Sequence, residues 1–112
     1  MPFWQDVEWM GDGTIRLDWD RSVDLQGDFV TYTVMLSSTP DFQTIYRQLN
    51  GTTQNEWRIE KPPNGNWYMK VIARDSKGNT QIAFDDFRDG TDNRYYGVNG
   101  FQVTDTGVFR LN

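Results

Sequence analysis

The side chains in this chain that could do chemistry are carboxylates and aromatics. Asp18, Asp20, Ser22 and Asp24 have the one-three-five-seven spacing of a calcium loop. Calcium takes about six to eight oxygens, and an EF-hand loop supplies them with a turn-making glycine at its sixth position and a bidentate acid at its twelfth. Those positions hold Val23 and Phe29, so the segment reads as a solvated acidic loop in which Asp24 and Asp28 cap turns. Asp20, Asp24 and Asp28 are the set that a calcium site of another kind would use. A second acidic run, Asp85, Asp86, Asp89 and Asp92, reads as charge that keeps a long connection soluble and a strand edge unpaired. Paired carboxylates are the other chemistry open to acids, as in glycoside hydrolysis. With sixteen acids in 112 residues, accidental pairs are unavoidable. An enzyme of this type requires a pocket holding two carboxylates, one with a raised pKa. Without Cys or His there is no thiolate or imidazole metal site, no Cys nucleophile and no His-based triad. The chain therefore reads as a non-enzyme with no cofactor.

The eleven Lys and Arg against sixteen Asp and Glu leave a net charge of −5. That balance opposes general nucleic-acid binding, which needs a basic face to displace counterions. No apolar run reaches the ~18 residues of a membrane-spanning helix. Met1-Pro2-Phe3-Trp4-Gln5-Asp6 has neither the basic nor the apolar region of a signal peptide, and the chain reads as one domain of a longer protein. Arg88-Asp89-Gly90 has a different order from the Arg-Gly-Asp adhesion motif, and Asn50-Gly51-Thr52 fits a glycosylation sequon of a kind frequent by chance.

The elements that must position these groups are strands. Ile15-Arg16-Leu17-Asp18-Trp19 alternates apolar and polar, and so does Tyr32-Thr33-Val34-Met35-Leu36. Trp57-Arg58-Ile59 and the longer Trp67 to Ala73 continue the series, with Phe3 to Trp9 in front of it and Phe101 to Val103 at its close. Ile45 to Leu49, Thr80 to Phe84 and Val108 to Leu111 are further short candidates. Turn clusters punctuate them at Gly11-Asp12-Gly13, Gln26-Gly27-Asp28, Asn50-Gly51, Pro62-Pro63-Asn64-Gly65, Ser76-Lys77-Gly78-Asn79 and Asp89-Gly90. Turns about every ten to fifteen residues between short strands predict an all-β sandwich or barrel. The segment at about 80–98 fits worst and reads as a long excursion before the final strand.

Leu17-Asp18-Trp19, Tyr32-Thr33-Val34-Met35-Leu36 and Trp67-x-Met69-x-Val71-x-Ala73 occur in an order and spacing that resemble a fibronectin type III domain. Arg74 to Asn79 is similar to that family's Gly-containing turn, and Phe101-x-Val103 suits its closing strand. The resemblance covers roughly residues 15–79 and the end of the chain. It implies an immunoglobulin-like sandwich over residues 1–112 with an elaborated last connection. One departure stands out: the family has Tyr where Trp67 sits, and its hydroxyl ties the strand corner to nearby backbone. An indole N–H donates but cannot accept, so the corner must be satisfied differently. Trp19 to Tyr32, with Asp41-Phe42 and Ala73 to Asn79, looks like the type III-like modules of bacterial surface proteins, among them the C-terminal module of spore coat protein H-like proteins. Those proteins carry an atypical kinase domain; nothing here resembles a nucleotide site, and no kinase activity carries over.

Aromatics make up 15% of the chain, which opposes disorder. Trp19, Tyr32, Trp67 and one of Trp57 or Trp9 are expected in the core. Phe3, Trp4, Tyr46, Tyr68, Tyr95 and Tyr96 are left over, with Tyr95, Tyr96 and Phe101 expected to pin the excursion to the sandwich. As contacts for a ligand or partner the candidates are Trp4, Tyr46, Tyr68, Tyr95 and Tyr96. The resemblance implies a non-catalytic accessory module, a spacer or protein-contact domain, in a larger bacterial protein that is secreted or on the cell surface. Its partners would be neighbouring domains of the same chain or another protein. The alternative is a carbohydrate-binding module whose exposed aromatics stack on glycans.

Overall fold

The computed structural model describes residues 4–22, 29–85 and 99–111. The period of two in the sequence becomes ten strands: β1 (Trp4–Trp9), β2 (Thr14–Trp19), β3 (Thr31–Ser37), β4 (Ile45–Thr52), β5 (Glu56–Glu60), β6 (Gly65–Arg74), β7 (Thr80–Ile82), β8 (Phe84–Asp85), β9 (Asn99–Val103) and β10 (Val108–Arg110). No helix occurs among the described residues. The strands form two sheets. One runs β5-β2-β1-β8; the other runs β10-β9-β6-β3-β4, with β7 also pairing β6. All pairings are antiparallel except the short β1–β8 contact, where Trp4 and Gln5 lie beside Phe84 and Asp85.

The alternation places one face of each sheet in a shared core. Ile15, Leu17 and Trp19 enter from β2, Tyr32, Val34 and Leu36 from β3, and Trp67, Met69, Val71 and Ala73 from β6. The expected core aromatics are there, and both Trp9 and Trp57 pack against the core half-buried, so it does not choose between them. Gln5 is the polar exception. It is fully buried and its Nε2 donates 3.1 Å across the core to the Met69 carbonyl, joining the two sheets. Trp67 settles the corner from the donor side: its Nε1 donates to the Pro63 carbonyl at 2.8 Å. The backbone group four residues upstream thus gains the partner that a tyrosine hydroxyl would supply.

Two expectations need correction. Asn50-Gly51 is not the turn that ends β4 but lies inside it. The register jumps from Tyr32↔Thr52 to Val34↔Leu49, so Asn50 and Gly51 share the space opposite Thr33 as a β-bulge. The φ of +69° at Gly51 belongs to that bulge. Thr80 to Phe84 is also not one strand. Residues Thr80–Ile82 pair with the C-terminal half of β6 (Ile72↔Ile82), whereas Phe84–Asp85 cross to the other sheet. The N-terminal half of β6 is then paired by β9, from Gly65↔Val103 to Met69↔Asn99. One long strand therefore has its edge completed by two segments far apart in sequence. The acidic run Asp86, Asp89 and Asp92 lies between them, outside the described residues.

Candidate functional site

Of the five candidate contact residues, the structure places Tyr46 and Tyr68. Trp4 contributes backbone to β1, but its side chain lies outside the described residues, as do Tyr95 and Tyr96. Tyr46 belongs to the inner side of its sheet. Its ring sits 4.8 Å from the Trp67 ring at a 56° tilt, and Arg47 carries its guanidinium 4.5 Å from the Tyr46 centroid. Tyr68 follows Trp67 directly and so points to the other side of the sheet. It stands opposite Gly100, where an added Cβ would come within 3.2 Å of Tyr68 Cε1 and 3.2 Å of Leu111 Cδ1. The ring thus covers a glycine whose side of the strand has no room for more. Tyr46 and Tyr68 face opposite ways and form no shared stacking platform.

Tyr68 instead belongs to the outward face of the six-stranded sheet. Along β6 that face continues through Lys70, Ile72 and Arg74, with Met35 paired opposite Lys70 and Ile82 opposite Ile72. Ile82 is 43% exposed and Phe109, on β10, is 52% exposed. The connection from β3 to β4 folds over the same face. Ser37 Oγ donates to the Thr44 carbonyl at 2.7 Å and accepts from the Thr39 amide at 3.0 Å. Phe42 takes φ +58°, the one positive φ of a non-glycine residue among those described, and places its ring 4.6 Å from Lys70 Nζ. The charged residues that β6 sends outward, Lys70 and Arg74, are both cations. Ile72, Ile82, Phe109 and the Phe42–Lys70 contact were missed in the sequence. The parity of β6 held the signal for Ile72, since a residue between Val71 and Ala73 must face out.

The outward face of the four-stranded sheet has the opposite character. Arg16 stands at its centre, with Glu8 at 3.1 Å, Asp18 at 2.9 Å and Glu56 at 3.2 Å. Arg58 pairs with Asp12 and donates to Thr14 Oγ1 at 3.0 Å. Beside Arg16 lies an open cleft of about 390 Å³ lined by Arg16, Asp18, Thr53, Gln54, Asn55 and Glu56. Burial pushes the Asp18 carboxyl above its usual range, against the pull of the Arg16 guanidinium. The cleft thus holds two carboxylates, one with a raised pKa, the arrangement an acid-pair enzyme needs. Arg16 donates to both, through Nη2 to Asp18 and Nη1 to Glu56. That bridge occupies the acids as an ion-pair network.

Of the three acids that a calcium site would use, one is described. Asp20 is exposed just beyond β2, and Asp24 and Asp28 lie outside the described residues. Among the described residues no group of three Asp or Glu side chains converges as a metal site. Asp75, nearly buried, serves a turn instead: it accepts from the Lys77 and Asn79 amides, both at 2.9 Å. No helix among the described residues is long and apolar enough to cross a membrane. Comparison of the chain with protein-family models, with curated proteins and with solved structures found no match.

Proposed function

We propose that this chain is a non-catalytic accessory module that makes a protein contact within a larger protein. The observation that carries the reading is the outward face of the six-stranded sheet. Ile82 stays exposed there beside Ile72, and Phe109 stays exposed at the Asn66 end of the same face, while the core is filled by other side chains. Exposed apolar and aromatic side chains among polar ones are of the kind that protein contacts use. The resemblance to type III-like modules of bacterial surface proteins supports placing the parent outside the cell. The separation of Tyr46 from Tyr68 weighs against glycan stacking.

The cleft at Asp18 and Glu56 favours a second reading, an acid-pair hydrolase. It is opposed by the Arg16 bridge between the two carboxylates. One set of measurements separates the readings. A polypeptide display library selected on the immobilised chain should yield ligands whose affinity falls at least about tenfold in Ile82→Lys and Phe109→Lys, the loss expected from a central contact. Tryptophan-fluorescence titrations with plant, host and bacterial polysaccharides should stay flat. Glycan binding would replace the protein-contact reading. Turnover of a glycoside that Asp18→Asn abolishes would establish the enzyme.

A further inference from the structure

Asn50 and Asn64 are both followed by glycine, and the fold treats them differently. Asn64 precedes β6 and is held at both ends of its amide. Its Oδ1 accepts from Lys61 Nζ at 2.9 Å, and its Nδ2 donates to Asp105 Oδ1 at 2.7 Å. Asn50 lies exposed on the edge strand β4 at the bulge, where the ladder is locally disrupted. No atom comes within 4 Å of the position a Cβ would take on Gly51. Among the described residues a single hydrogen bond touches the Asn50 amide, and it falls on the carbonyl oxygen: Gln48 Nε2 donates to Asn50 Oδ1 at 2.7 Å.

We propose that Asn50 is a site of spontaneous deamidation promoted by Gln48. Solvent hydroxide takes the proton of the Gly51 amide, and the Gly51 nitrogen attacks Asn50 Cγ. Negative charge develops on Oδ1, the atom that Gln48 already addresses as a donor, so the contact stabilises the charge where it forms. The Cγ–Nδ2 bond breaks, the nitrogen leaves as ammonia with a proton from water, and a succinimide closes between residues 50 and 51. Water then opens the ring at either carbonyl, giving Asp or isoaspartate, with no change of oxidation state. The open space around Gly51 leaves room for the ring. Asn64 Oδ1 has a comparable donor in Lys61 and Gly65 is equally open; what holds the reaction back there is the amide nitrogen, which Asp105 must first release. The product adds one negative charge to a chain of net charge −5 and, as isoaspartate, one extra backbone carbon to the edge strand.

The test is peptide mapping that resolves Asp from isoaspartate, on the full chain aged in mildly alkaline buffer. Native Asn50 should convert about tenfold faster than Asn64, the factor that one to two polar contacts supply. In urea, where both Asn-Gly steps are free, the two rates should converge. Gln48→Ala, at an exposed position, should slow Asn50 about fivefold, the worth of one hydrogen bond, with an unchanged melting temperature. Equal native rates at Asn50 and Asn64 would overturn the site. An unchanged Asn50 rate in Gln48→Ala would overturn the role of Gln48.

Discussion

Two buried tryptophans differ in the fate of one hydrogen atom, and that difference has a measurable size. Trp67 is 7% exposed and Trp19 is 4% exposed. The Trp67 indole N–H donates to the Pro63 carbonyl at 2.8 Å, while the Trp19 indole N–H is buried with no partner among the described residues. Replacing either by Phe trims a similar amount of apolar ring, so that loss largely cancels between the two variants. At Trp67 the change also forfeits a hydrogen bond, a loss of about 1 kcal/mol because the exposed Pro63 can return its carbonyl to water. At Trp19 it removes a buried donor that folding strips of water without replacement, relieving ~1–3 kcal/mol. Trp67→Phe should therefore be the less stable variant by ~2–4 kcal/mol, or roughly 8–16 °C in melting temperature for a domain of this size. Urea unfolding followed by far-UV circular dichroism reads the difference, with equal m-values showing that the unfolded states are comparable. Benzothienylalanine at position 67 keeps the ring shape but lacks the N–H, and should reproduce the hydrogen-bond share alone. If Trp19→Phe costs as much as Trp67→Phe, the accounting of these two N–H groups is wrong.

Three further outcomes follow from the same geometry. Burial raises the Asp18 pKa above the usual carboxylate range, so the folded state holds that proton more tightly than the unfolded chain, and stability falls as pH rises through the folded pKa. Asp18→Asn, which mimics the protonated form, should melt above the parent at neutral pH and lose that advantage below about pH 4, as pH-dependent melting curves will show. Tyr32→Phe takes the acceptor from the buried Ser22 amide, now bonded at 3.0 Å, and should cost ~1–3 kcal/mol in chemical denaturation. Asp75→Ala removes the side chain that holds the Ser76–Asn79 turn and should cost about 2 kcal/mol; hydrogen exchange should quicken first where β7 pairs β6, at Ile72 and Ile82.

The legible part of this fold was its alternation. Ile15-x-Leu17-x-Trp19 and Trp67-x-Met69-x-Val71-x-Ala73 each put their named residues on one face, and those faces are the core. Turn chemistry was less reliable. At Asn50-Gly51 the same dipeptide that ends a strand also suits a bulge within one, because both uses need φ > 0. The candidate site was legible only in part. Aromatic type suggested exposed contacts, yet of the two candidate tyrosines described, Tyr46 lies against Trp67 and Tyr68 lies over Gly100. The exposed apolar residues proved to be aliphatic as well as aromatic.

The sequence by itself determined the class and the inward set. A period of two with closely spaced turns leaves a sandwich or barrel as the way to bury Trp19, Tyr32 and Trp67 together. It also excluded thiolate and imidazole chemistry, since the residue types are missing. Only the tertiary structure decided which segments complete the edge of β6, that Gln5 spans the core to Met69, and that three acids converge on Arg16. The physical reason is range. Alternation is set by neighbours two residues apart, whereas Gln5 and Met69 meet across 64 positions. Such long-range contacts depend on register between strands, which no local pattern specifies.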